Sequence, residues 1–434
     1  MLYTYIAPTR VRFLQFALYY RLEYIRDRTH ENMTLSEELS WRGFVNQMTF
    51  SDITDIDEPR TLYWGVDPSA DSMTIGNLAA AMMVRHFIDH GYKAILLVGG
   101  ATGMIGDPDG KRQERDLKSL DEIAKNKEAI AAQYHTVFNK QAFEIVDNYD
   151  WFKNINYLDF LRDVGKHMSM TQMLDREFVQ SRIGEGGSGI SYAEFSYSLI
   201  QGYDFLHLYR EKGATLQVCG ADQWGNSITG ASLIRKLEGA EAHVYSTPLI
   251  VNKTTGKKFG KSEEGAIWLD PKKTSPFKFY QFWLNADDEG VIDYLKVYTL
   301  LDKEAIEALE KSRAEKPGAR EAQRVLARLV TGIVHGGDKA QQMEDITRML
   351  FGEARFADLL PEDMDVLAAE IPTTNVTSLV GALVSTSVAS SNGEARRLID
   401  NGAVSVNDEK VSTDSELTVP SLIKKGKNTF ILVR

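Results

Sequence analysis

The chain has 434 residues, 43% hydrophobic and 26% charged, enough for two or three globular domains, and no apolar run reaches the roughly 18 residues of a membrane span. Its formal charge of -11 excludes a surface that is basic throughout, so any nucleic-acid contact must be regional. The only cysteine, Cys219, excludes an internal disulfide and a multi-thiolate zinc site and fits a reducing cytoplasm, and the eight histidines show no metal-ligand spacing, so no metal site on the protein is expected.

Residues 1–32 mix Val11, Phe13, Leu14 and Phe16 with Arg10, Arg12, Arg21, Arg26 and Arg28. Glu23, Asp27 and Glu31, with no small-residue cleavage pattern, argue against an organelle leader. Met33 opens a better start, with Thr34 or Ser36 placed to cap a helix. Residues 1–32 are therefore read as a doubtful extension.

Thr61 to Val66 and Lys93 to Val98 are short apolar runs suited to buried parallel strands. Between them Ile75, Leu78, Ala79, Met82 and Met83 recur at helical spacing, and Gly91 stands where a helix ends. This strand-helix-strand unit places Asp67 to Asn77 at the carboxyl edge of a parallel sheet, where a helix N-terminus offers free N–H groups to phosphate. The run from Gly99 to Gly110 follows the second strand; it is either a long turn or a place where a ligand approaches backbone. Lys111, Arg112 and Arg115 come next, solvated or facing phosphate.

Later strands are expected at Gly213 to Val218 and Pro248 to Val251, with helices over Glu194 to Glu211 and Gln223 to Leu237. The α/β pattern runs to about residue 270. A helical region follows to about residue 352, including Lys303 to Glu315 and Ala319 to His335. A linker is expected over 353–374, around Pro361 and Pro372. A small module over 375–434 holds a helix with Arg396 and Arg397 that ends near Gly402 and leads into a strand.

Lys258-Phe-Gly-Lys-Ser262 lies in a glycine-flanked loop and supplies two mobile ammonium groups. Alone it is weak evidence; paired with Ser69 to Asn77 it makes a two-part nucleotide signature. Around it stand Tyr63-Trp-Gly-Val-Asp-Pro-Ser-Ala-Asp71, Gly99-Gly-Ala-Thr-Gly-Met-Ile-Gly-Asp107, Phe160-Leu-Arg-Asp-Val-Gly-Lys-His167, Tyr197-Ser-Leu-Ile-Gln-Gly-Tyr-Asp204 and Gly220-Ala-Asp-Gln-Trp-Gly-Asn226. In these words and their order, residues 61 to 310 closely resemble the bacterial-type tyrosyl-tRNA synthetases, a class I aminoacyl-tRNA synthetase family.

The resemblance implies an α/β fold: a Rossmann-like parallel-sheet catalytic domain over 33–270, a helical anticodon-binding domain over 271–352, and a small αL RNA-binding domain at the end. It implies a tyrosine-tRNA ligase using ATP, with Mg²⁺ bound mainly through the ATP. By position, Tyr63 and Asp204 would meet the substrate phenol. Asp107, Tyr197 and Gln201 would hold its ammonium, with Thr102 and Asn148 nearby, and Gln223 its carboxylate. Gly65, Asp67, Ser69, Gly76, Gly220 and Asp222 would line the ATP site, with Asp222 on the ribose. Lys258, Lys261 and Ser262, with Thr74 and Asn77, would serve the transition state. The resemblance also implies tRNA contacts by Lys111, Arg115, Arg396 and Arg397, with Lys410, Lys424, Lys425 and Lys427 extending the basic face. A cytoplasmic homodimer joined through Phe160 to His167 and Met168 to Met173 is implied as well.

The chain departs from the family at its His-Ile-Gly-His word, which is Thr74-Ile-Gly-Asn77 here. Asn77 keeps an N–H donor; Thr74 is shorter than histidine. Trp64 and Ser69 differ too, and Trp64 is expected to crowd or stack near the ribose. Two competing readings are an RNA-binding paralogue without adenylation and the sister enzyme for tryptophan.

Overall fold

The computed structural model describes residues 33–108, 117–257, 259–262 and 265–434, and of Gln172, Glu177, Phe178, Lys261 and Ser262 the backbone alone. The doubtful extension 1–32, Lys111, Arg112, Arg115 and Lys258 lie outside the described residues.

Six strands form the first sheet: β1 (Gln47–Met48), β2 (Thr61–Val66), β3 (Lys93–Val98), β4 (Phe143–Asp147), β5 (Leu216–Gly220) and β6 (His243–Thr247). Their order is β1-β6-β5-β2-β3-β4, parallel except for β1 against β6. The chain moves outward from β2 to β4, then returns to the other side of β2 with β5. That reversal opens a crevice beyond the carboxyl ends of β2 and β5, the usual ligand position in such sheets.

Strand alternation assigns the two faces. Leu62, Trp64, Leu96 and Val98 join the core under the Ile75–Asp89 and Leu120–Val137 helices. Tyr63, Ile95 and Leu97 join a second core with Phe205, Leu206 and Leu208 of the Tyr192–Lys212 helix. Each such side chain, fully buried, favours the fold by roughly 1.5–3 kcal/mol. The Tyr192–Lys212 helix starts at Ser191, whose hydroxyl accepts from Glu194 N–H, and ends at Gly213 with φ +66°.

That glycine cap explains why the strand expected from Gly213 begins at Leu216 instead. The strand expected over Pro248 to Val251 is absent: β6 occupies His243–Thr247, and Pro248, which has no N–H for a ladder, follows it. The expectation missed β4, a half-exposed edge strand without a continuous apolar run.

Beyond the sheet lie helices Pro276–Leu284, Val291–Tyr298, Lys303–Glu315, Glu321–His335 and Gly337–Leu350. Arg42 of the Leu35–Arg42 helix joins this layer to the sheet domain. Its guanidinium donates to the carbonyls of Lys296, Thr299 and Leu301 at 2.8–3.2 Å and to Glu38 at 2.8 Å. A helix, Pro361–Glu370, occupies much of the expected linker.

A short hairpin, β7 (Lys261–Ser262) with β8 (Gly265–Ala266), carries the second lysine of the loop. The C-terminal module is a sheet of β9 (Thr373–Thr374), β10 (Val404–Val406), β11 (Glu409–Lys410), β12 (Ser421–Lys425) and β13 (Thr429–Val433), ordered β11-β10-β12-β13-β9. Helices Leu379–Ser385 and Asn392–Asp400 cover it, with Leu379, Leu383, Ile399, Ile423 and Ile431 in its core.

Candidate active site

A cavity of about 800 Å³ opens at the β2/β5 crevice. Tyr63, Gly65, Asp67, Ser69, Thr74, Gly76, Asn77, Thr102, Asp107, Tyr197, Gln201, Asp204, Gly220, Asp222 and Gln223 all line it. Asn148 stands behind the wall, fully buried.

At the closed end, Tyr63 comes from β2 and Asp204 from the helix that packs on that face. The Tyr63 hydroxyl is buried and has no hydrogen-bond partner among the described residues. Asp204 is 1% exposed; its carboxylate accepts from Asn148 Nδ2 at 3.1 Å and from Trp151 Nε1 at 3.0 Å. Burial pushes Asp204 well above the usual carboxylate range, against the pull of those two donors. Burial, with the Asp204 charge nearby, likewise keeps the Tyr63 phenol protonated. A buried hydroxyl without a partner is costly, so this end is built to receive a polar group.

Next comes a network around Asp67. Thr102 Oγ1 donates to Asp67 Oδ1 at 2.6 Å, Tyr197 donates to Oδ2 at 2.7 Å, and Asn148 Nδ2 donates to Thr102 Oγ1 at 3.0 Å. Asp67 thus ties the phenol end to the mouth, although only nucleotide contact was expected of it. The glycines after β3 serve this network. A Cβ on Gly99 would collide with Asp67 Oδ1 and Thr102 Oγ1, and one on Gly100 with the Asp147 carboxylate. Their bareness admits protein side chains, so the chain's own carboxylates approach the backbone of that run, while its Thr102 and Asp107 line the cavity. Asp147 also accepts from Lys127 and from Gly100 N–H.

At the mouth, Asn77 Oδ1 accepts from Thr74 N–H at 2.9 Å and Thr74 Oγ1 at 3.1 Å. A backbone N–H can only donate, so the Asn77 oxygen faces Thr74 and its NH₂ is left for the cavity. The segment leading into the Ile75–Asp89 helix is clamped to the segment after the lysine loop: Ile75 N–H donates to Ile267 O at 3.1 Å, Leu269 N–H to Met73 O at 2.9 Å, and Ile267 N–H to Gly260 O at 3.1 Å. Gly260, at φ +102°, lies so close to Ile75 that a Cβ would sit 2.9 Å from Ile75 Cγ1. The two halves of the signature, nearly 200 residues apart, are therefore joined by backbone. Phe259 stacks on Tyr294 with centroids 4.1 Å apart, fixing the loop's base in the helical layer.

The Trp64 ring packs in the core against Tyr134 and Phe138, with centroids 5.5 and 6.2 Å away, because alternation turns it to the face opposite Tyr63, and it also borders the cavity. Trp151 was not singled out from the sequence; only its donation to Asp204 reveals it.

The remaining candidates are peripheral. Arg396 and Arg397 are exposed on the Asn392–Asp400 helix, as are Lys410 and Lys427. Lys424 and Lys425 are used internally: their ammonium groups donate to Leu350 O at 3.1 Å and Val388 O at 2.9 Å. Large exposed apolar side chains gather between residues 157 and 192: Tyr157, Leu158, Met170, Ile183 and Tyr192.

The family described as tRNA synthetases class I (W and Y) matches residues 55–352, two thirds of the chain. The chain belongs to that family. Residues 363–434 match a second family, the tyrosine–tRNA ligase SYY-like C-terminal domain. Relatives of this class I synthetase chain include a tyrosine–tRNA ligase of Limosilactobacillus fermentum, 41% identical over 93% of this chain and 99% of its own length. Tyrosine–tRNA ligase 2 of Bacillus cereus is 43% identical over 93% of this chain and 99% of its own. Among solved structures, a C-terminally truncated mitochondrial tyrosyl-tRNA synthetase of Aspergillus nidulans superposes with a TM-score of 0.66 at 27% identity, covering 80% of this chain and all of its own. No helix among the described residues is long and apolar enough to cross a membrane.

Proposed function

We propose that the chain is a tyrosine-tRNA ligase, which joins L-tyrosine to AMP and passes it to the 3'-terminal adenosine of its tRNA. The observation that carries this reading is the unpartnered Tyr63 hydroxyl beside Asp204 at the closed end of the cavity. A substrate phenol answers the Tyr63 hydroxyl and comes beside Asp204; phenylalanine, lacking the hydroxyl, leaves the Tyr63 hydroxyl unpaired in a buried place.

In the first step a carboxylate oxygen of tyrosine attacks the α-phosphorus of ATP, and the bond to the bridging oxygen breaks as pyrophosphate leaves. The substrate carboxylate needs no base, so the chain's task is alignment and stabilisation of charge. Asp107, Tyr197 and Gln201 hold the ammonium, with Thr102 and Asn148 behind them, and Gln223 directs the carboxylate. Gly65, Asp67, Ser69, Gly76, Gly220 and Asp222 receive the nucleotide. Asn77 offers its NH₂, and Lys258, Lys261 and Ser262 meet the phosphate charge. An Mg²⁺ carried mainly by the triphosphate would neutralise part of its charge. In the second step an adenosine hydroxyl of the tRNA attacks the carbonyl and AMP leaves.

Residues 33–270 would be the catalytic domain, 271–352 the anticodon-binding helices, and the C-terminal module, expected over 375–434 but taking in β9 (Thr373–Thr374) as well, an RNA-binding module contacting tRNA through Arg396 and Arg397, as would Lys111 and Arg115 elsewhere. The apolar side chains exposed between residues 157 and 192 support a homodimer. The free Cys219, the chain's only cysteine, fits a reducing cytoplasm as its place of work.

The test is tyrosine-dependent exchange of labelled pyrophosphate into ATP, with tryptophan and phenylalanine as controls. Exchange with tyrosine alone is the expected result. A folded, tRNA-binding sample that exchanges with none of the three would leave the paralogue reading in its place.

A further inference from the structure

Arg176, which precedes the Glu177–Ile183 helix, lies outside every motif considered above. Its guanidinium donates from one terminal nitrogen to Asn226 Oδ1 at 2.8 Å, and from the other to Gly225 O at 2.6 Å and Thr229 Oγ1 at 2.7 Å. Asn226 is 4% exposed, and its Nδ2 donates to Gln223 Oε1 at 3.3 Å. Gln223 Nε2 in turn donates to Asp107 Oδ2 at 2.5 Å.

These bonds form a chain with a single possible polarity. A guanidinium only donates and an ionised carboxylate only accepts, while an amide does either depending on which way it is turned. With Arg176 at one end and Asp107 at the other, Asn226 must turn its oxygen to the arginine and its NH₂ to Gln223. Gln223 must then turn its oxygen away from Asp107 and its NH₂ toward it. Reversing either amide would set donor against donor at one end and acceptor against acceptor at the other, each costing about a buried unmade hydrogen bond. The second terminal nitrogen anchors the guanidinium on the Trp224–Glu238 helix through Gly225 and Thr229, which holds its orientation.

We propose that Arg176 is a positioning residue for the amino-acid substrate, acting through Asn226 to fix the Gln223 amide and the Asp107 carboxylate in the arrangement that receives the substrate's carboxylate and ammonium. This rests on the tyrosine-ligase reading, which places Gln223 and Asp107 at those groups. Arg176 itself does not touch substrate. Its effect falls on tyrosine binding and leaves ATP binding alone, because the relay ends at the amino-acid side of the cavity.

The experiment measures KM for tyrosine and for ATP in pyrophosphate exchange, with thermal melting as a check of folding, for the wild type, Arg176→Met, Arg176→Lys, Asn226→Ala and the Arg176→Met, Asn226→Ala double variant. Arg176→Met is expected to raise the tyrosine KM about tenfold, the scale of one charge-assisted hydrogen bond, with the ATP KM within about twofold of wild type. Arg176→Lys, which keeps a donor, restores most of the loss. In the Asn226→Ala background, Arg176→Met adds less than about twofold, since the relay is already cut. An unchanged tyrosine KM in Arg176→Met, an equal rise in both substrates' KM, or a full further loss in the double variant would overturn the relay and leave Arg176 as a staple between helices. A wild type that shows no tyrosine-dependent exchange would overturn the ligase reading, and the relay's role with it.

Discussion

Single atoms decide selectivity here. The Tyr63 hydroxyl is buried and has no protein partner among the described residues. Tyr63→Phe therefore breaks no hydrogen bond within the protein and removes one partner of the substrate phenol. The tyrosine-over-phenylalanine ratio of kcat/KM in pyrophosphate exchange is expected to fall about 2- to 10-fold, equivalent to about 0.5–1.5 kcal/mol. The melting temperature should hold or rise. An unchanged ratio would remove Tyr63 from the selectivity. Tyr63 and Asp204 were both legible in the sequence, because each sits in a distinctive word. Trp151 and Arg176 were not: what marks them is the atom each donates to, and Trp151 meets Asp204 across more than 50 residues of chain.

Among the elements, the tight join of β2, β3 and the helix that begins at Thr102 shows how backbone shape protects chemistry. Gly99 lies under Asp67 Oδ1 and Thr102 Oγ1, so Gly99→Ala must push both aside. The expected outcome is a loss of about 1–3 kcal/mol in urea denaturation with a raised tyrosine KM, because Thr102 and Tyr197 share Asp67. If neither quantity moves, the Asp67 network is slack and does not shape the site. At this scale the sequence was informative where the pattern was continuous. β2 and β3 fall on the expected residues, since buried parallel strands are unbroken apolar runs. β4 was missed because it is half exposed at an edge, and β6 was displaced because an apolar stretch after Pro248 resembles a strand more than His243–Thr247 does. The glycine run was legible as a site element but not in its role, which depends on carboxylates arriving from other strands.

The whole molecule is sensitive to acid through buried imidazoles. Burial lowers His335, packed edge-on to Phe279, to about 4. Burial and then the Arg42 charge lower His86 to about 4, although Glu38 Oε1 lies 3.1 Å away. Asp89 also faces His86, and His90 Nε2 lies 3.7 Å from Glu38 Oε2. Glu38 feels burial as an upward push, but His86 and Arg42 outweigh it and hold the carboxyl ionised. Each histidine is neutral in the fold at pH 7 and binds a proton more readily when unfolded. Stability is therefore fully present above about pH 6.5 and is lost as pH falls toward 4, by about 2 kcal/mol per histidine at pH 5. Urea midpoints measured at pH 7 and 5 are the measurement, and His335→Leu should make the difference between them smaller by that one histidine's share. An undiminished loss in that variant would assign the acid sensitivity elsewhere. None of this could be read from the sequence, where the histidines stand apart and their burial is set by the folding of distant helices.

The C-terminal sheet has a further consequence for how the chain can be divided. Its outer strand β9 is only Thr373–Thr374, yet it pairs in parallel with β13 at Leu432 and Val433 and comes from the segment that looks like mere connection. The last module therefore borrows its border from the polypeptide before it. Cutting at Asn375 would leave β13 with a bare row of peptide groups, an invitation to pair with another copy. The natural unit of inheritance, the piece that could be moved to another protein and stay itself, begins upstream of β9.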